Sequence, residues 1–283
     1  MIDLSIIVPI YNDADDLWSM ATALAPHIDR IVGAQKWQFV LVNNGSSDNS
    51  PQVVQRIIEI WPNSIRIDLP RPDYGEALAQ GLSNAEGNFA YIVNVDFWDE
   101  LFLAWCWRCR DVYDLVLGSK RADPFLNHQH KYRRLLSWAL NSILQFAFGF
   151  VGTDTHGQKF ITLPTVRPII AQCVMRRGQF DTELTLRTMR QGLWLAEVPV
   201  PIHELRPPRN LMVMKIYRNL CDIVRLKRVI RLVPAGHPIR YHRWAREDIE
   251  GGSSLQGPAH ILLEKAAQRH RLSEAQQGAA DAG

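Results

Sequence analysis

The chain has 283 residues, 47% apolar and 22% charged, with a net charge of +3 and a pI near 8.7. That balance excludes a wholly disordered, collagen-like or low-complexity chain and leaves room for a sizeable core. So small a charge gives no reason to expect nucleic acid as a partner. Four cysteines over this length do not make a disulfide scaffold, which points to a cytoplasmic setting. The opening MIDLSIIVPIY is strand-like and lacks a basic n-region, so no signal peptide is expected.

Short β-rich runs alternate with helical patterns. Strands are expected at Ser5–Ile10, Phe39–Val42, Ile65–Leu69, Phe89–Val95, Leu115–Gly118, Lys159–Leu163 and Leu193–Val200. Helices are expected at Asp15–Leu24, Pro51–Ile60, Tyr74–Ala85, Glu100–Val112, Arg133–Phe148, Val166–Arg176 and Thr182–Gln191. Such alternation predicts an α/β fold with a mostly parallel central sheet covered by helices on both faces. Ligands of such sheets sit outside the carboxyl ends of the strands.

The longest apolar stretch is the 18 residues Leu135–Gly152. Ser137, Asn141 and Gln145 recur every four residues, a polar stripe opposite Leu, Trp, Ile and Phe. This reads as an amphipathic helix in the core or at a membrane surface, not as a span. Leu211–Arg231 is helical in period, with Ile216, Leu220, Ile223, Leu226 and Ile230 on one side and Lys215, Arg218, Asp222 and Arg225 on another. Either it packs on the domain, or its apolar side enters lipid while its cations meet anionic headgroups. The divisions expected are 1–210 for the α/β domain, 211–246 for the basic helix region and 247–283 for a mobile tail with a short helix near Ile261–Gln268.

The strand-end loops carry the polar chemistry. Val8-Pro9-Ile10-Tyr11-Asn12-Asp13 closes the first strand and Asn43-Asn44-Gly45-Ser46-Ser47-Asp48 the second. A turn so rich in Gly, Asn and Ser either cradles a ligand or caps the helix that follows. No GxGxxG or GxxxxGK[ST] is present, so neither a dinucleotide fingerprint nor a P-loop is predicted. Asp73-Tyr74-Gly75 opens a helix whose small residues permit close backbone approach. If the fourth strand reaches Val95, Asn94 and Asp96 share a face and can point at one cation or diphosphate. Cys106 and Cys109 form a lone CxxC, read as core packing. His128 and His130 fall in a loop, read as solvated. His156, beside Asp154, is the histidine to test.

Taken in order, these blocks resemble the family 2 glycosyltransferases of the GT-A fold, and most of all the dolichyl- or polyprenyl-phosphate mannose and glucose synthases. The resemblance runs from about Ser5 to Pro201. SIIVPIYND is similar to the family's opening strand, and Asn43–Asp48 stands where the family has Asp-Asp-Gly-Ser-Ser-Asp. Asn94-Val95-Asp96 replaces its metal-binding Asp-x-Asp. Leu117–Arg121, Asp154–Phe160 and Phe180–Leu184, followed by Glu197–Val200, follow its later motifs.

The resemblance implies nucleotide contacts from Pro9, Tyr11, Asp13, Asn43, Asn44 and Asp73, and a divalent cation, Mg²⁺ or Mn²⁺, at Asp96 and Asn94. With Asn94 uncharged that cation should bind weakly, and Lys120, Arg121 and Lys159 should neutralise more of the diphosphate. It implies inverting transfer of a hexose from an NDP-sugar, of GDP-mannose or UDP-glucose type, to a lipid-phosphate acceptor at a membrane surface. A base, if one is needed, is Asp154, with Asp181 and Glu183 next. Capping of a helix N-terminus is the other reading of those last two. The Asn substitutions leave two alternatives: a non-catalytic sugar-nucleotide-binding scaffold, or a soluble enzyme that glycosylates a glycan hydroxyl.

Overall fold

The computed structural model describes residues 1–123, 131–176, 178–201, 212–233 and 237–250. The expected helix near Ile261–Gln268, and His128 and His130, lie outside these residues.

Eight strands form one sheet: β1 (Leu4–Ile10), β2 (Trp37–Asn44), β3 (Ile65–Leu69), β4 (Phe89–Ile92), β5 (Leu115–Ser119), β6 (Lys159–Thr162), β7 (Trp194–Pro199) and β8 (Arg240–Arg243), in the order β3-β2-β1-β4-β6-β5-β7-β8. All neighbours pair parallel except β6, which runs antiparallel to both β4 and β5. Every residue of β1 and β2 is buried. That is the mark of a sheet covered on both faces, and it explains why these strands read as continuous apolar runs.

The helices are α1 (Ala14–Val32), α2 (Ser50–Ile60), α3 (Tyr74–Asn84), α4 (Glu100–Arg108), α5 (Lys131–Phe148), α6 (Leu163–Gln172), α7 (Phe180–Arg190), α8 (Met212–Arg231) and α9 (Arg246–Glu250). One core gathers side chains of α1, α2, α4 and α9 on one sheet face; a second gathers α3, α6, α7 and α8 on the other. Expected and observed elements agree closely, with three instructive differences. Helix α1 runs eight residues past Leu24, through Pro26, because its buried stripe continues at Ala25, Ile28 and Val32. Strand β4 stops at Ile92 rather than Val95 because the chain turns at once, with Asn94 bridged to Phe97. Strand β8 was not foreseen: RYHR has no alternation and is only half buried.

The helix of the apolar stretch is amphipathic as expected, with Leu144 and Phe148 buried in the second core and Ile143 packed against it, but some side chains depart from a simple division of faces. Asn141 is buried, and it and Gln145 donate to the Gly152 carbonyl at 3.3 and 3.1 Å. Trp138 and Phe146 are exposed instead, Phe146 almost completely. Asn141 and Gln145 satisfy a loop carbonyl, and Trp138 and Phe146 face out while Phe148 is buried.

In α8 too an apolar side packs inward. Ile223, Leu226 and Ile230 are buried in the second core, so Ile223 and Leu226 are not available to enter lipid. Arg225, Lys227, Arg228 and Arg231 are exposed. The side chains of Lys215, Arg218 and Leu220 lie outside the description. No helix among the described residues is long and apolar enough to cross a membrane.

Candidate active site

The sheet order reverses beside β1: the chain goes from β1 to β2 on one side, and β4 lies on the other. That switch point opens a crevice at the carboxyl ends of the strands. Two halves of different chemistry flank it.

The first half is built from the β1–α1, β2–α2 and β3–α3 turns, and its polar groups bond one another. Asn12 takes positive φ (53°), and its side-chain oxygen accepts from the Ser47 amide at 2.8 Å. The Ser46 hydroxyl accepts from the Asn12 amide, and the Ser50 hydroxyl from the Asp13 amide, both at 3.1 Å. Asp48 accepts from Ala14 and Ser50; burial raises its pKa, but these bonds outweigh that and hold it below the usual carboxylate range.

Asn43 donates to Asp68 at 2.7 Å and accepts from the Ser46 amide at 3.2 Å. Asn44 accepts from the Asp73 amide at 2.7 Å, and Asp73 caps α3 by accepting from the Glu76 amide. Both asparagines are thus buried and engaged. Pro9 is also buried, inside β1, which leaves Tyr11 as the exposed ring of this half. Gly45, at φ +67°, lies where a Cβ would come within 2.9 Å of Arg71 backbone, so only glycine fits the approach of this turn to the β3–α3 turn.

The putting together of Asn94 and Asp96 follows from a turn, not from strand alternation. Reciprocal backbone bonds close Asn94 on Phe97 at 3.3 and 3.1 Å, and Asp96 is exposed at the tip. The Asp96 carboxylate and the Asn94 amide oxygen give two hard donors, one of them charged. Among the described residues no three His, Cys, Asp or Glu side chains gather as a metal site. Such a donor pair fits a Mg²⁺-like ion that brings most of its ligands as phosphate and water, and it does not fit an all-protein cage.

The second half is charged. Lys159 opens β6 opposite Ile92 and Leu117, and its ammonium meets Asp181 of α7 at 2.7 Å, both side chains 1% exposed. Neither Asp181 oxygen has an aligned hydrogen-bond partner among the described residues, although the charges touch. The Tyr74 phenol is pushed well above its usual 10 by burial, and then by the nearby Asp181 and Asp96 carboxylates. Tyr74 therefore sits between the metal-side turn and the buried pair.

The Asp154 carboxylate accepts from the His156 amide at 2.9 Å and lies 3.9 Å from Lys120 Nζ. Its Oδ2 is buried without a hydrogen-bond partner, as is one terminal nitrogen of Arg121. Burial lowers the Arg121 pKa despite the opposing charges of Asp154 and Glu197. The His156 ring spans Thr155 Oγ1 at 3.1 Å and the Gly178 carbonyl at 3.0 Å, so it is held by structure. The halves are joined by packing: a Cβ on Gly75 would fall 1.3 Å from the Arg176 carbonyl.

Two sequence-based roles need correction. Lys159 is fully buried and its charge is met by Asp181, so it does not face a diphosphate; Lys120 and Arg121 remain for that task. Glu183 is fully buried, with one oxygen taken by the Val174 and Met175 amides (2.8 and 2.6 Å) and the other by Arg187 at 2.7 Å. It is a structural carboxylate, not a base. Cys106 and Cys109 are buried free thiols, and burial pushes Cys109 up to about 11. That agrees with core packing and leaves no thiolate for metal.

Three residues to which the sequence analysis gives no individual role hold the site from behind. Gln158 accepts from Tyr91 and from the Asp99 amide. Asp99 caps α4 by accepting from the Leu101 and Phe102 amides. Glu197, fully buried, accepts from the Thr153 amide at 2.8 Å and the Asp154 amide at 3.3 Å. A carboxylate inside the apolar strand WLAEVP was the one signal available, since a buried charge must have partners.

Comparison with known proteins agrees with this geometry. Residues 5–100 match the model of glycosyl transferase family 2. A dolichyl-phosphate beta-glucosyltransferase of Trichomonas vaginalis is 22% identical over 71% of this chain and 66% of its own length. An undecaprenyl-phosphate 4-deoxy-4-formamido-L-arabinose transferase of Proteus mirabilis is 24% identical over 52% of this chain and 44% of its own. The chain thus spans two thirds or less of these two relatives. In fold it is similar to glucosyl-3-phosphoglycerate synthase from Mycobacterium tuberculosis, solved with Mn2+, UDP-glucose and phosphoglyceric acid: TM-score 0.53, 18% identity, 83% of this chain and 81% of that one. It is also similar to mannosyl-3-phosphoglycerate synthase from Rubrobacter xylanophilus: TM-score 0.50, 14% identity, 80% and 73% of the two chains. The chain thus shares the GT-A fold of these enzymes, and its residues 5–100 match the family 2 glycosyl transferase model.

Proposed function

We propose that this protein is an inverting hexosyltransferase that moves a hexose from a nucleoside-diphosphate sugar to a lipid phosphate or related acceptor. The observation that carries the reading is the placement, at the carboxyl ends of one sheet, of a hydrogen-bonded cradle beside Tyr11 and a cationic group at Lys120 and Arg121. The cradle suits a base and ribose, and the cations suit a diphosphate. Relatives acting on dolichyl and undecaprenyl phosphates support the acceptor class.

Asn94 and Asp96 would hold a divalent cation together with the diphosphate. When bound, that cation neutralises charge on the leaving group. Lys120 and Arg121 stabilise the same charge from the other side, in a partly buried setting where each charge-assisted bond is stronger than in water. The hydrogen-bonded cradle fixes the nucleotide, so the anomeric carbon is presented to the acceptor in one orientation. A phosphate acceptor is already an anion and needs positioning only.

The unpartnered Oδ2 of Asp154 favours a second reading, a hydroxyl acceptor. In that case Asp154 accepts the acceptor's proton as the new glycosidic bond forms.

Exposed Trp138 and Phe146 on α5, with exposed cations on the adjoining α8, support a peripheral membrane face. Each such cation near an anionic leaflet contributes on the order of 1 kcal/mol. Binding to vesicles should rise with anionic lipid and fall with salt.

The test is nucleoside-diphosphate release from UDP- and GDP-hexoses, with and without Mn²⁺ and a polyprenyl phosphate. Release that depends on the lipid phosphate supports the first reading, and release that depends on a sugar hydroxyl supports the second. No release with any donor contradicts both.

A further inference from the structure

Strand β8 and helix α9 lie at the far edge of the sheet, yet two of their arginines reach the buried carboxylates that hold the site's two key turns. Arg243 sits opposite Glu197 in the parallel β7–β8 register. Its Nε lies 3.2 Å from Glu197 Oε2, and its guanidinium also donates to the Val151 carbonyl at 3.1 Å. The other Glu197 oxygen, Oε1, accepts from the Thr153 and Asp154 amides. One carboxylate thus links β8 to the backbone that carries Asp154.

Arg246 does the same on the other side. It meets Asp99 Oδ2 at 2.7 Å, donates to the Pro199 carbonyl at 3.3 Å and pairs with Glu250 at 2.8 Å. Burial lowers the pKa of its guanidinium, but the bonds to Glu250 and Asp99 outweigh that and raise it. The other Asp99 oxygen, Oδ1, accepts from the Leu101 and Phe102 amides, and its own amide is bound by Gln158. Asp99 follows Asp96 by three residues, on the returning side of the Asn94–Phe97 turn. Between the two arginines, Trp244 donates its amide to the Glu197 carbonyl at 2.9 Å and its indole N–H to the Tyr113 hydroxyl at 3.1 Å. The segment is therefore tied down between its two reaches.

Both acceptors are nearly or wholly buried. Removing a partner from a buried carboxylate leaves its charge less well compensated; the Arg246–Asp99 pair is mostly buried on both sides, while Arg243 is half exposed and reaches in to a wholly buried Glu197. We propose that Arg243 and Arg246 are positioning residues. They form a two-point clasp that holds the Asp154 loop through Glu197 and the Asp96 turn through Asp99 in fixed relation. The proposal rests on the reading of Asp96 and Asp154 as site residues, and its test is chosen to stand apart from that reading.

The experiment compares Arg243→Gln and Arg246→Gln with Arg243→Lys and Arg246→Lys in the full chain, by amide hydrogen exchange and by steady-state kinetics. Arg243→Gln should speed exchange at Thr153 and Asp154 and leave Leu101 and Phe102 unchanged; Arg246→Gln should do the reverse. In kinetics, Arg243→Gln should lower kcat roughly tenfold at nearly constant donor KM, as expected for small misplacements near the chemistry. Arg246→Gln should act mainly on donor KM. The lysine variants should recover part of each effect and serve as the readout if a glutamine variant does not fold.

Faster exchange across the whole sheet, without the local split, would overturn the clasp. So would unchanged exchange at all four amides. If the wild-type chain releases no nucleotide, the proposed function fails, while the exchange experiment still decides the clasp.

Discussion

The two halves of the crevice differ less in shape than in how their polar atoms are used. In the cradle, Asn43 and Asn44 stand in buried positions and spend their side-chain groups on Asp68, Ser46 and Asp73. In the charged half, Asp154 Oδ2, a terminal nitrogen of Arg121 and both Asp181 oxygens are buried without aligned partners. Buried polar groups are normally satisfied, and unsatisfied ones carry a cost that a ligand can offset. The cradle holds its shape through its own bonds, whereas in the charged half Asp181 is met by the Lys159 ammonium and Asp154 Oδ2 lies 3.9 Å from Lys120. Asn43 and Asn44 bring no charge to a cradle that keeps the carboxylates Asp48 and Asp68, so under the proposed function the handling of ligand charge falls to the basic side.

The comparison is broken most severely by removing the basic side. Arg121→Ala should lower nucleotide release by about 10²-fold or more, the usual scale for losing a group that stabilises leaving-group charge, with little change in melting temperature. An equal fall in stability would make Arg121 a structural residue instead. Next is the seam between the halves. Gly75→Ala places a methyl on the Arg176 carbonyl and should cost about 3 kcal/mol, the upper range for overpacking, read as a shift in the denaturant midpoint at constant m-value.

The role of an uncharged side chain at position 43 is tested by Asn43→Asp. The new carboxylate would stand where the amide now donates to Asp68 at 2.7 Å, two like charges at one site. The variant should be about 1 kcal/mol less stable at pH 7, equivalent to roughly one pKa unit. The gap should close as pH falls towards 4 and one carboxyl takes up a proton. In the wild type the sign is opposite. Asp68 is held below 3.8, first by its bond to Arg66 and then by Asn43. Its contribution is therefore present above that pH and lost as pH falls through its lowered value. Stability of Asn43→Asp that is flat with pH would mean the two groups are not in contact.

Two smaller effects sharpen the account. Asn94→Asp adds a second charged donor and should tighten Mn²⁺ roughly tenfold, since ligand charge count sets affinity; no change would place Asn94 away from the ion. Of the four cysteines, only Cys221 is exposed, so a thiol reagent at pH 8 should modify one thiol quickly in the native chain. Rapid modification of Cys109 would contradict its buried, raised thiol.

Most of the architecture was legible because apolar periodicity is a local signal. The covered strands and the strand-end loops could be placed from it, whereas Asp154 and Lys120 were named by the family resemblance and Asp96 by that resemblance and an assumed strand alternation. What was not legible depends on contacts between distant segments. Arg246 lies 147 residues from its partner Asp99, and no pattern in RYHRWARED announces a strand and a clasp. The burial of Asn141 escaped for the same reason: the acceptor that it and Gln145 satisfy is a loop carbonyl, invisible to any count of apolar residues. Lys159 and Asp181 could be named as functional, but only the fold shows that each neutralises the other.

The most direct test titrates UDP and GDP calorimetrically into the wild-type chain and into a Lys120→Ala/Arg121→Ala double variant, each with Mn²⁺ and with a chelator. The account predicts wild-type binding that weakens but persists without Mn²⁺, and that is lost in the double variant under both conditions. Binding that requires Mn²⁺ absolutely and is untouched by the double variant would contradict it, as would no binding of either nucleotide.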